Sequence, residues 1–70
     1  MPSTSQPNIS LINGLDVLEA VMAAPGPVGS RELARTLDLD RSVTNRLLLT
    51  LASQGMLERT SNGRYLPADI

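Results

Sequence analysis

Apolar residues recur along this chain with two different rhythms. From Leu11 to Met22 the spacing is helical: Leu11, Leu15, Leu18 and Met22 stand at i, i+4, i+7 and i+11, which lines them along one face of a helix. Val17 and Val21 run beside them as a second stripe. This predicts a helix over roughly residues 11–24, capped by Ser10, with the Leu11 stripe facing the core. Pro25-Gly26-Pro27 ends it, because two prolines remove donors and fix backbone angles. Val28 then stands as a very short strand. Ser30 is placed to cap a second helix, with Glu32 in the first turn and Leu33, Ala34 and Leu37 as its buried side. Asp38-Leu39-Asp40 breaks the pattern, with Leu39 as an apolar plug. Asp40 caps a third helix over about 41–53, whose inward residues are Thr44, Leu47, Leu48 and Leu51, and Gly55 stops it.

After Gly55 the rhythm shortens to that of strands. Met56–Thr60 and Arg64–Leu66 flank Ser61-Asn62-Gly63, and Asn-Gly between such runs predicts a hairpin with a type I′ turn. Pro67 is expected to stop the second strand. Residues 1–9 show no periodicity and are expected to form a flexible arm. The order helix, short strand, helix, turn, helix, hairpin predicts a mostly α fold with a small β-hairpin: a winged helix-turn-helix of three helices plus wing over residues 10–66.

Composition narrows the chemistry. A chain of 70 residues buries only about 60% of the surface it exposes unfolded, so almost every apolar residue is needed for one core. Tyr65 is the sole aromatic, and there is no Cys and no His. That removes disulfides, thiolate and imidazole catalysis and Cys/His zinc sites. With no Gly-rich phosphate loop and no carboxylates clustered on one face, an enzyme is the weakest reading, and no cofactor or metal is expected. No basic run precedes an apolar stretch at the N-terminus, and no apolar run approaches the ~18 residues of a membrane span. The expected location is the cytoplasm, away from membranes.

Net charge is −1, but its distribution is uneven. All six basic residues are arginines within residues 30–66, against four acids there, while residues 1–29 carry only Asp16 and Glu19. Arginine's rigid fork of donors suits phosphates and guanine edges. On the third helix, the face opposite Leu48 presents Ser42, Arg46 and Leu49, flanked by Val43, Asn45 and Thr50, with Arg41 at the start. These are groups that read major-groove edges: Arg to guanine, Asn to adenine, apolar groups to the thymine methyl. The second helix offers Ser30 and Arg31 at its start and Arg35 one turn on, a seat for phosphate. Arg64, just after the hairpin turn, is expected on the DNA backbone or minor groove, and Arg59 less so. Each also has a plain alternative: Arg41 and Arg46 solvated or paired with Asp38 and Glu58, Ser30 a simple cap, Arg64 a solubilising charge.

The runs Pro25-Gly26-Pro27-Val28, Arg31-Glu32-Leu33-Ala34-Arg35, Leu39 through Leu48, Gly55-Met56-Leu57-Glu58-Arg59 and Asn62-Gly63-Arg64-Tyr65 resemble the N-terminal domain of the IclR family of regulators. Ser10–Leu18 is similar to that family's first helix, so the likeness spans about residues 10–66. It implies a dimeric repressor or activator on a palindromic operator in double-stranded DNA, with Arg41, Ser42, Asn45 and Arg46 on the recognition helix. It also implies a C-terminal domain that senses a small-molecule effector, absent from these 70 residues, with 67–70 beginning the linker to it. Val43-Thr44, Leu49 and Leu66-Pro67 depart from the family's usual pattern.

The expected function is sequence-specific DNA binding as the reading head of a bacterial metabolite-responsive regulator, with the third helix in the major groove. The Val17/Val21 stripe and the arm are the expected homodimer surface. The alternative is a winged helix used for protein–protein contact without DNA binding, which the pI near 5.0 and an exposed Leu49 favour.

Overall fold

The computed structural model describes residues 6–69. Its elements are α1 (Ile9–Ala23), α2 (Ser30–Leu37), α3 (Arg41–Ser53), β1 (Leu57–Arg59) and β2 (Tyr65–Pro67). Residues 1–5 of the expected arm and residue 70 of the expected linker lie outside the described residues.

α1 starts one turn-half earlier than its apolar pattern suggests. Asn8, not Ser10, is the cap, and its side chain accepts from the Leu11 N–H at 3.0 Å. The face expected to be buried is also the wrong one. Val17 and Val21 are fully buried, whereas Leu11, Leu15 and Met22 are exposed and Leu18 is half-buried. α1 is apolar nearly all round, and it packs against α3 and β2 with the smaller β-branched pair in the core. Val17 and Val21 therefore cannot form a dimer surface.

α2 is capped by Gly29, which offers no side chain; Ser30 is the first helical residue and not the cap. Its end is well formed: Asp38 adopts the left-handed conformation at φ 55°, and the Leu39 N–H reaches back to Ala34 O at 2.9 Å. This six-to-one bond is the Schellman closure, and Asp is one of the few side chains that tolerate its backbone angles. Leu39 is carried by that bend to pack against the core. α3 has the bounds its sequence suggests. Asp40 accepts from the N–H groups of Ser42 (3.0 Å) and Val43 (3.4 Å). At the other end Gly55, at φ 80°, lets the Met56 N–H bond Leu51 O at 3.0 Å. Thr44 is fully buried and its hydroxyl donates to Asp40 O at 3.0 Å, so the helix itself satisfies it.

β1 and β2 pair antiparallel, Glu58 opposite Leu66, with Pro67 as the last paired residue of β2 and not its stop. The turn is not type I′. Only Gly63 has positive φ (81°), the Gly63 N–H bonds Thr60 O at 3.0 Å, and the Thr60 N–H bonds Arg64 O at 2.7 Å. This is a three-residue loop, a type I turn followed by a left-handed glycine. The Thr60 side chain locks it by accepting from the Arg64 N–H and by bonding Asn62 Oδ1. Val28 adds a one-residue third strand, exchanging two 2.9 Å backbone bonds with Tyr65. Val17, Val21, Val28, Leu33, Leu48, Leu57 and Tyr65 form the core. The Tyr65 hydroxyl is buried there without a protein partner among the described residues.

Candidate nucleic-acid interface

The six arginines stand on two helices and the hairpin, all of them exposed. α3 buries Thr44 and Leu48, and so turns Arg41, Ser42, Val43, Asn45, Arg46, Leu49 and Thr50 outward, all exposed. Neither Arg41 nor Arg46 pairs with Asp38 or Glu58; among the described residues the single ion pair lies elsewhere. Their guanidinium groups, with the Asn45 amide, thus remain available on a helix whose outer face holds no acid. Leu49 and Val43 are 45% and 37% exposed, apolar surface that a thymine methyl or a partner could cover.

Ser42 is more committed than its position suggests. Its hydroxyl donates to Asp40 Oδ2 at 2.5 Å, so its proton belongs to the cap and only its lone pairs face outward. The same contact, then the Val43 and Ser42 N–H groups, holds the Asp40 carboxyl below the usual carboxylate range. Thr50 similarly spends its proton on Arg46 O.

The start of α2 forms a second cluster. Gly29, Arg31, Glu32, Arg35, Thr36 and Arg64 line a polar groove of ≈ 520 Å³. Ser30, half-buried, sits at the helix start beside it. Because Gly29 provides no capping group, the first N–H groups of α2 have no side-chain partner. Arg64 does not project from the tip of the wing. Its Nη1 donates to Pro27 O at 3.2 Å and stands 3.7 Å from Glu32 Oε1, which turns the side chain towards α2. Arg59 lies over the Tyr65 ring, 5.9 Å from its centroid, along the sheet.

Arg31, Arg35 and Arg64 are therefore brought together, while Arg41, Asn45 and Arg46 form a separate group on α3. Four participants escaped the sequence. Glu32 joins the groove through a partner 32 positions away in sequence, and no local pattern signals that. Leu11, Gly14 and Leu15 of α1 line an apolar groove of ≈ 510 Å³ with Val43, Arg46 and Leu47; that they border α3's outer face follows only from which side of α1 is buried.

Three helices, the second and third joined by a tight turn, and a hairpin docked against them define a winged helix-turn-helix domain. The model of the IclR helix-turn-helix domain matches residues 10–61, and the chain belongs to that family. Among solved structures, it is similar to an IclR family transcriptional regulator from Brucella abortus, at 28% identity and a TM-score of 0.83 over 90% of this chain and 25% of that one. The Agobacterium tumefaciens repressor BlcR is similar at 25% identity and TM-score 0.75, over 86% of this chain and 24% of that one. The Thermotoga maritima IclR, at 23% identity and TM-score 0.79, shares the fold over 86% of this chain and 24% of its own. The chain spans about a quarter of the length of these regulators. The same fold occurs within a pericyclic reaction enzyme and within LepI in complex with SAM, each at 26% identity and TM-score 0.74 over 16% of that chain. No curated protein matches. The chain is thus a DNA-binding domain of a transcription regulator family. No helix among the described residues is long and apolar enough to cross a membrane.

Proposed function

We propose that this domain is the operator-reading head of a cytoplasmic, metabolite-responsive regulator, itself without catalytic activity. The observation that carries the reading is α3's outward face, where Arg41, Asn45 and Arg46 stand exposed and without an ion pair among the described residues. α3 enters the major groove; Arg46 and Asn45 contact base edges, with Val43 and Leu49 against thymine methyls. Arg31, Arg35 and Arg64, with the N–H groups at Ser30, hold the phosphate backbone and set the register. Arg64 acts there as a backbone contact and not as a minor-groove probe, since its side chain turns towards α2. In the longer regulator two such heads meet a palindromic operator about one helical turn apart, roughly 34 Å. The homodimer face is α1's exposed stripe of Leu11, Leu15 and Met22, and a C-terminal domain senses the effector.

A second reading draws on that same stripe. Leu11, Leu15 and Met22 are between 49% and 62% exposed, apolar surface that would serve a module binding only protein.

A salt titration against random and pool-selected duplexes, comparing the domain with Arg46→Ala, separates the two. DNA binding predicts a log K that falls steeply with log salt, by about 0.9 per phosphate neutralised, and Arg46→Ala loses discrimination between sequences. Absence of binding at low salt, by the domain and by a fused dimer of it, would overturn the proposal in favour of the protein-binding module.

A further inference from the structure

The groove at the start of α2 holds one carboxylate among three arginines. Glu32 occupies the third helical position, where an acid ordinarily reaches back to the cap N–H. Here α2 has no side-chain cap bond, and the Glu32 carboxylate is directed at Arg64 instead. The pair is loose. At 3.7 Å, with the side chains 50% and 65% exposed, such a contact contributes little to stability. Nor is it needed to aim Arg64, whose Nη1 is already held by Pro27 O. Folding gives the acid only the modest favour of the helix dipole in the first turn. What the acid does is lower the positive potential of the groove and occupy the wing's arginine.

We propose that Glu32 is an attenuator of DNA-backbone binding that acts through Arg64, competing with phosphate for its guanidinium. The inference rests on the DNA-binding reading above and adds to it a residue that touches neither base nor phosphate. Arg64 exchanges the Glu32 carboxylate for a phosphate oxygen on binding, so the pair that is lost is subtracted from the contact that is gained. Backbone contacts carry no sequence information. Glu32 therefore weakens the hold on all duplexes alike and leaves the ratio between sequences unchanged. A single head then dwells briefly on DNA, and long residence comes from two linked heads on one operator.

The test is fluorescence anisotropy of the 70-residue chain on a labelled random duplex and a selected one, from low to physiological salt. Glu32→Gln keeps the shape and removes the charge. It should tighten binding roughly two- to fivefold at low salt, the range of an exposed pair, by the same factor on both duplexes. The slope of log K against log salt should change little, since Arg64 neutralises one phosphate in both proteins. The gain should vanish in the Arg64→Ala background. Unchanged binding by Glu32→Gln, on a duplex that the unaltered chain binds, overturns the inference. So does a gain that survives Arg64→Ala, which would mean that Glu32 repels DNA by its charge alone. Failure of the unaltered chain to bind any duplex at low salt removes the DNA-binding reading itself, and this inference with it. Thermal unfolding of each variant confirms that the fold is retained.

Discussion

Which side of α1 holds the domain together can be decided by two truncations. Val17 is fully buried and Leu15 is 49% exposed, although leucine is the larger and the better placed by periodicity. Val17→Ala removes two buried methyl groups, worth about 1.6 kcal/mol in transfer alone, and leaves a cavity against α3 that raises the cost to about 2 kcal/mol. A domain of this size has about 4–10 kcal/mol in total, so the loss is a large fraction. At about 4–8 °C per kcal/mol, Tm should fall by about 8–16 °C. Leu15→Ala should stay within about 0.5 kcal/mol, as surface changes do, when measured on dilute protein. Circular dichroism at 222 nm over a range of protein concentrations is the assay. If Leu15 also lies in a dimer face, its truncation should flatten the rise of Tm with concentration and leave the dilute-limit Tm alone. A Val17→Ala protein that melts within 2 °C or so of the original, or a Leu15→Ala protein that loses as much in dilute solution, would refute the assignment of the two faces.

Gly14→Ala should stabilise the domain by about 0.5–1 kcal/mol, because the added Cβ meets Leu47 Cδ2 at 3.7 Å, an ordinary contact; denaturant midpoints check it. Tyr65→Phe should be neutral or raise Tm, since it deletes a buried hydroxyl that bonds no protein group among the described residues, whereas a loss above about 1 kcal/mol would reveal a partner. Asp40 has a lowered pKa in the fold, so its contribution is present above its unfolded value of about 3.9 and is lost as pH falls through the lower folded value. Asp40→Asn, which still caps, should remove that part of the acid decline in stability measured between about pH 5 and 2.

The parts that were legible in the sequence are those governed by local chemistry. α3 could be bounded to the residue because Asp40 and Gly55 each do one thing, capping and left-handed closure, that few other residues do. The wing was visible in Asn62-Gly63, but its turn type was not. Thr60, outside the dipeptide, supplies the backbone and side-chain bonds that make the loop three residues long. α1's buried face was illegible for a different reason. With Ile9, Leu11, Ile12, Leu15, Val17, Leu18, Val21 and Met22 in one helix, periodicity supports more than one answer, and packing against α3 and β2 chooses. The candidate interface divides the same way. α3's outer residues follow from its inner ones, while the direction of Arg64 depends on Pro27 and Glu32, whose proximity only the fold creates.

The two backbone bonds between Val28 and Tyr65 make the approach to α2 a third strand of the wing. The turn end of the hairpin and the approach to α2 are thereby tied into one edge, not left as a flap beside a helix. Any duplex that touches both meets a caliper of set opening. DNA whose resting groove width matches that opening seats without strain, and stiffer or wider stretches must deform to fit. Base pairs that no side chain contacts would then still influence binding through the energy needed to bend them.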